Sequence, residues 1–194
     1  MKYKVIDNFL DENYFKKLVT LFKAETDPEE LVKILQDGSR EANNKIDNPP
    51  FPWFYVPSVV YPPKNKKWKP KEETDNSFYM SHLFYNFNTP ISRFYDHMMP
   101  LLQKIGIVCL MRMKANLYPN THTLQEHSTH TDYPFSHSGA ILSLNTCDGY
   151  TKLKDGTKID SVANRILLFD ASEVHCSTNT TNVSARININ INYF

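Results

Sequence analysis

Cysteine is scarce in this chain. Only Cys109, Cys147 and Cys176 occur among 194 residues, too few and too scattered for a disulfide framework or a thiolate zinc site. They read as small buried hydrophobes of a protein kept in a reducing compartment. Long apolar runs are missing as well, so no membrane span is expected. The opening MKYKVIDNFLDENYF lacks the uninterrupted apolar stretch of a secretory signal. A soluble cytoplasmic protein is the expectation. Nor is there an excess of charge of one sign: 22 Lys and Arg stand against 21 Asp and Glu, for a net charge of +1. That balance gives no global basis for binding a polyanion, and a nucleic-acid partner is not expected. Internal repeats and low-complexity tracts are absent too. What remains is 41% hydrophobic and 13% aromatic, the composition of a globular protein with a sizeable core.

The first half carries the helix signals. Residues 3–7 (YKVID) read as a short strand. Asp11 can cap a following helix in which Phe15, Leu18, Val19 and Phe22 recur on one face. A second helix is predicted from Asp27-Pro28 to about Gly38. Residues 49–70 hold seven of the twelve prolines among Trp53, Phe54, Tyr55 and Trp68. That density excludes a regular helix and points to an anchored irregular loop beside a site; the run Lys64–Lys69 reads as a solvated face. Thr89-Pro90 is expected to open a helix carrying Ile91, Phe94, Tyr95, Met98, Leu101, Leu102 and Ile105 on one stripe. Pro100 should kink it and Gly106 should end it. From about residue 107 the period changes to that of strands: VCLMRMKANLY, GAILSLN, GYTKL, RILLFD and ARINININYF, with Asp155-Gly156 placed for a tight hairpin. Helices first and strands afterwards predict a β-sandwich or small barrel with a helical layer.

Two features in the strand-rich half carry chemistry. His130 and Asp132, two residues apart on an extended segment, point to the same side and can face one metal ion. The only histidine downstream of His137 is His175, just beyond the strand RILLFD and the turn ASEV. Two histidines and one carboxylate make a facial triad suited to non-haem Fe(II), with coordination positions left open. His127 leaves a second arrangement open, because a His127/His130 pair could hold a metal differently. The second feature is the alternation Arg186-Ile187-Asn188-Ile189-Asn190-Ile191-Asn192, with one isoleucine face and one polar face. Either the polar face meets water, or it points inward and buries a guanidinium that then requires an anion. A planar fork of donors suits a carboxylate.

Residues 108–194 resemble the catalytic core of the 2-oxoglutarate/Fe(II)-dependent dioxygenase superfamily, in particular its prolyl-hydroxylase-like branch. The resemblance runs through NLYPN, HTD, AILSLN, ANRILLFDASEVH and Arg186, with ten residues between that last histidine and the arginine. VIDNFLDENYFKKLVTLF is similar to the strand–helix opening of the same branch, and the aromatic FPWFY segment resembles that of small phage-encoded oxygenases, which implies a host cytoplasm. The resemblance implies a fold that is mainly β with supporting helices: a double-stranded β-helix (jelly roll) core with an N-terminal helical layer. One oxygenase domain would span 1–194, with the strand, helices and Pro/aromatic-rich loop in 1–106 and the jelly roll in 107–194.

By the same resemblance His130, Asp132 and His175 are the metal ligands and catalytic centre, Arg186 takes the distal carboxylate of 2-oxoglutarate, and Tyr118 lines the cosubstrate pocket. Fe(II), 2-oxoglutarate and O₂ are the implied cofactors. The implied reaction hydroxylates a C–H bond while 2-oxoglutarate decarboxylates to succinate and CO₂. A protein side chain is the first candidate substrate, and a free amino acid or small metabolite the alternative. No second arginine follows Arg186 as it does in nucleic-acid dealkylases. Ser143 departs from the oxygen-sensing prolyl hydroxylases, which place a tyrosine there; the shorter side chain loses that contact with the cosubstrate or makes it through water. A non-catalytic jelly-roll module holding a metal on the same three residues is the rival from a different class. Residues 49–70 are the candidate substrate wall.

Overall fold

The computed structural model describes residues 3–23, 51–59 and 78–194. The predicted helix at 27–38, the lysine run 64–69 and most of the proline-rich segment lie outside them. The N-terminal part contributes β1 (Lys4–Ile6), helix α1 (Glu12–Lys23), β2 (Phe54–Val56), β3 (Tyr79–Asn86), β4 (Thr89–Pro90) and helix α2 (Met99–Ile105). All five segments read as strands beyond residue 107 are strands: β5 (Leu110–Pro119), β6 (Ser138–Ser143), β7 (Tyr150–Leu153), β9 (Ile166–Asp170) and β11 (Ala185–Tyr193); β8 (Lys158–Asp160) and β10 (His175–Ser177) flank β7 besides. One large sheet runs β1-β9-β6-β11-β5-β3-β2, with β4 beside β3; a smaller one runs β10-β7-β8. All pairs are antiparallel. Ile141, Leu167 and Phe169 of the large sheet pack against Leu153 of the small one. The described chain is thus mainly β, with two facing sheets in a jelly-roll-like arrangement.

β11 lies between β6 and β5 and is buried on both faces. Ile187, Ile189 and Ile191 enter one apolar cluster with Leu18 and Phe22 of α1 and Leu101 and Leu102 of α2. Burying each isoleucine contributes about 1.5–3 kcal/mol. Arg186, Asn188, Asn190 and Asn192 are buried as well, on the face turned the other way. A row of buried polar groups requires partners, and the site grows from that requirement.

Local signals explain most of the supporting elements. Asp11 Oδ1 accepts hydrogen bonds from the Asn13 and Tyr14 backbone N–H groups at 3.0 and 3.2 Å, capping α1 as predicted. Asn164 holds Leu10 by both its backbone groups, Leu10 N–H donating to Oδ1 at 2.8 Å and Nδ2 donating to Leu10 O at 2.9 Å. The Asp155-Gly156 hairpin forms: Gly156 N–H bonds Leu153 O at 2.9 Å and Gly156 takes φ +87°, a left-handed value glycine adopts without strain.

The helix expected from residue 89 is corrected. Thr89-Pro90 is a short strand on β3, a 3₁₀ turn covers Tyr95–Met98, and α2 begins only at Met99. Pro100 sits in the first turn of α2, where its missing N–H costs nothing, so it begins the helix instead of kinking it. Ser92 explains the delay: its Oγ accepts from Phe94 N–H at 3.0 Å and contacts His82 Nε2 at 2.7 Å, tying the segment to the sheet. The start of the proline-rich segment is anchored by its aromatics, Phe51 lying 4.7 Å from Phe22 and 5.3 Å from Phe94 between ring centroids. No described helix is long and apolar enough to cross a membrane.

Candidate metal and carboxylate site

His130 and His175 meet through their backbones. Each N–H donates to the other's carbonyl at 2.9 Å, a single antiparallel bridge that extends the small sheet beyond β10. The two imidazoles are thereby set side by side, 4.7 Å between centroids. Asp132 follows two residues after His130 on the same side, its N–H bonded to Ala171 O at 3.1 Å. One ligand atom from each of the three lies within 4.8 Å of the others. His130 Nδ1 faces Ser128 O at 3.3 Å and His175 Nδ1 faces Glu173 O at 2.9 Å. A carbonyl can only accept, so both Nδ1 atoms carry the proton and both Nε2 lone pairs are left for a metal.

The Asp132 carboxylate is held at both oxygens. Arg112 donates to Oδ1 at 2.9 Å and Asn192 to Oδ2 at 2.8 Å, while Arg112 Nε also donates to Asn192 Oδ1 at 3.1 Å. Burial acts to raise its pKa, but the Arg112 charge, His175 and the Asn192 hydrogen bond outweigh it and hold the group down to about 2. For His130, burial and then the nearby His175 lower the pKa, with Asp132 opposing. The imidazole therefore stays neutral, as a metal ligand must.

The inward alternative for the polar face of β11 is the one realised. Arg186 is 1% exposed, packed 5.6 Å from the centre of the Tyr118 ring. It donates to Thr178 O and Thr151 Oγ1, both at 3.0 Å, while its Nε has no partner among the described residues. Among the described residues no carboxylate pairs with it. Room for the arginine depends on Gly149, where a Cβ would fall 2.7 Å from Arg186 Cδ and 2.4 Å from Asn179 O.

One cavity collects these groups: Tyr118, His130, Asp132, His175 and Thr151 line it, together with Val59, Tyr79, Lys114 and Asn190. Arg186 reaches it through Thr151 and Tyr118. His127 stands apart, its Nδ1 on Ser177 Oγ at 2.9 Å and its ring against Tyr118, outside the metal-ligand group. Ser143 is buried opposite Asn188 and does not line the cavity. Val59 brings the end of the described proline-rich segment to its wall. Sequence reasoning missed Arg112, Lys114, Asn190 and Asn192 as site residues. The signal was present in the alternation Arg112, Lys114, Asn116, Tyr118 on β5, which matches the polar row of β11 beside it.

No family model matches the chain, and no curated protein resembles it in sequence. Solved structures do share its fold. A prolyl-4-hydroxylase from Pseudomonas putida superposes with a TM-score of 0.54 at 14% identity, over 98% of this chain and 91% of that one. A prolyl hydroxylase from Trichoplax adhaerens, in complex with a peptide fragment of the hypoxia inducible factor oxygen degradation domain, gives 0.58 at 15% identity, over 99% and 83%. The non-heme α-ketoglutarate-dependent epimerase SnoN of nogalamycin biosynthesis gives 0.55 at 13% identity, over 99% and 77%. The chain therefore carries the fold shared by prolyl hydroxylases and other non-haem, 2-oxoglutarate-dependent enzymes.

Proposed function

We propose that residues 1–194 form one Fe(II)- and 2-oxoglutarate-dependent dioxygenase domain, acting in the cytoplasm on a C–H bond of an amino-acid side chain. The observation that carries the reading is Arg186: among the described residues, a buried guanidinium with no acid partner and an unpartnered Nε, beside a cavity lined by two histidines and a carboxylate. The residues fit the cofactors. Two imidazoles and one carboxylate suit Fe(II) and leave coordination positions open, and the guanidinium fork suits the distal carboxylate of 2-oxoglutarate.

His130, Asp132 and His175 hold the metal, with Nε2 the ligand atom of each histidine. Arg186 fixes one end of the cosubstrate, helped by Thr151, while the Tyr118 ring forms a wall beside it. Bound Fe(II) and 2-oxoglutarate would supply the oxidising chemistry that hydroxylates the substrate C–H bond with O₂, with succinate and CO₂ as the co-products. The chain's own part is to orient the partners and exclude water. Arg112 and Asn192 keep the Asp132 carboxylate ionised and aimed. The substrate side chain belongs to a protein, as the peptide complex of the Trichoplax enzyme supports, or to a free amino acid.

Arg186→Ala tests the assignment. The variant should bind Mn(II) like the unmodified chain yet lose about thirtyfold or more in 2-oxoglutarate affinity, since one partner of a buried charge pair is gone. Unchanged 2-oxoglutarate binding would favour a metal-holding module instead.

A further inference from the structure

The cavity wall carries more positive charge than the cosubstrate accounts for. Lys114 on β5 pairs in register with Asn190 of β11, and its side chain lines the cavity beside Tyr79, Asn116 and Asn190. Its ammonium donates to the Tyr79 hydroxyl at 3.3 Å and lies 5.3 Å from the centre of that ring. Among the described residues no carboxylate stands within 4 Å of it. Asp132 is the only acid on the described wall, and Arg112 and Asn192 already engage it. Burial pulls the Lys114 amine down to about 8, with the Arg112 charge adding to the effect and Asp132 opposing it. A cation in such a place is costly until an anion completes it.

The anion is not 2-oxoglutarate on the reading proposed above, which this inference rests on. Of its two carboxylates, one belongs to Arg186 and the other to the metal. The same wall also offers two acceptors without donors among the described residues, Asn116 Oδ1 and Asn190 Oδ1. Their amide orientations are set by their neighbours. Asn116 Nδ2 donates to Asn188 Oδ1 at 3.0 Å and Asn190 Nδ2 faces Asp132 Oδ2 at 3.5 Å, so turning either amide would bring two oxygens together. A cation with a hydroxyl beside it, and two carbonyl oxygens nearby, complement a free carboxylate and an N–H group on one small molecule.

We propose that Lys114 and Tyr79 anchor the carboxylate of a free amino acid whose amino group faces Asn116 and Asn190, so that the substrate is an amino acid and not a residue within a protein. A peptidyl residue has spent its carboxylate in an amide and would leave Lys114 unpaired.

The test uses the full chain loaded with Mn(II) and N-oxalylglycine, an inert analogue of 2-oxoglutarate. Each free L-amino acid and its carboxamide is titrated calorimetrically. At least one amino acid should bind, and its carboxamide should bind about thirtyfold or more weakly, the loss expected when one partner of a buried charge pair is removed. Lys114→Met should weaken the acid to the same extent without changing 2-oxoglutarate affinity, and Lys114→Arg should restore binding. Melting temperatures of both variants confirm that they fold; if Lys114→Met does not, the acid–carboxamide comparison on the unmodified chain decides alone. The proposal is overturned if no amino acid binds, if acid and carboxamide bind alike, or if Lys114→Met lowers 2-oxoglutarate affinity, which would give Lys114 to the cosubstrate. Should the unmodified chain bind no 2-oxoglutarate at all, the oxygenase reading itself has failed, a result distinct from these.

Discussion

At the residue scale the proposed metal site depends on groups outside its three ligands. Asp132 can present its charge in a fixed direction because Arg112 and Asn192 hold both oxygens, and Asn192 is in turn oriented by Arg112. Removing an orienting partner of this kind costs about 10–100-fold in metal affinity. Asn192→Ala should therefore weaken Mn(II) binding by that order, and a variant with unchanged affinity would show that the hydrogen bond does not position the carboxylate. The histidines make a separate prediction. Burial lowers the pKa of both His82 and His130 below the usual 6.5. Between each lowered value and 6.5 the unfolded chain binds a proton that the folded chain does not, so stability must fall as pH drops through that window. Urea midpoints of the metal-free protein should be lower at pH 5.5 than at pH 7.5; a higher midpoint at pH 5.5 would refute the buried neutral histidines. That His130 and Asp132 would share one side was legible, because His-x-Asp on an extended segment fixes it. The carboxylate clamp was not, since nothing in a single strand says which neighbour it will have.

Elements explain why these side chains converge. β11 is read correctly as alternating, but alternation alone leaves two orientations for its polar face. The isoleucines decide it by joining the cluster under α1 and α2, which turns Arg186 inward. β7 then supplies the other half of the arginine pocket: Thr151 as acceptor and, just ahead of the strand, Gly149 as the point of close approach. Gly149→Ala would force a Cβ to within 2.4 Å of Asn179 O and 2.7 Å of Arg186 Cδ. Overpacking of this kind costs about 1–3 kcal/mol, and the displaced guanidinium should weaken 2-oxoglutarate binding in the same variant. Native stability together with native affinity would contradict the pocket as described. Helix α2 shows where local pattern misleads. An apolar stripe from Ile91 to Ile105 suggests one long helix, yet the hydrogen bonds of Ser92 and the pairing of Thr89-Pro90 with β3 take the first part of it. Tertiary partners there outweigh a periodicity that is shared by helices and by irregular packed segments.

For the whole molecule, the change of period near residue 107 foretold the mainly β character, and the strand segments were found within a residue or two of their ends. The order β1-β9-β6-β11-β5-β3-β2 was not foretold from the pattern, because alternation specifies faces and not partners. That order places β11 and β5 side by side, so that two polar rows become one wall holding Arg186, Lys114, Arg112 and the asparagines. Among the described residues, three cations on or beside that wall face one carboxylate, an imbalance that suits a site built for acidic small molecules. The central claim, that Arg186 and the triad bind 2-oxoglutarate at iron, is tested most directly by anaerobic titration of the Fe(II)-loaded chain with 2-oxoglutarate while its visible spectrum is recorded. A weak charge-transfer band that grows with 2-oxoglutarate and disappears in Asp132→Ala is the predicted result; iron that binds without any such band would contradict the account.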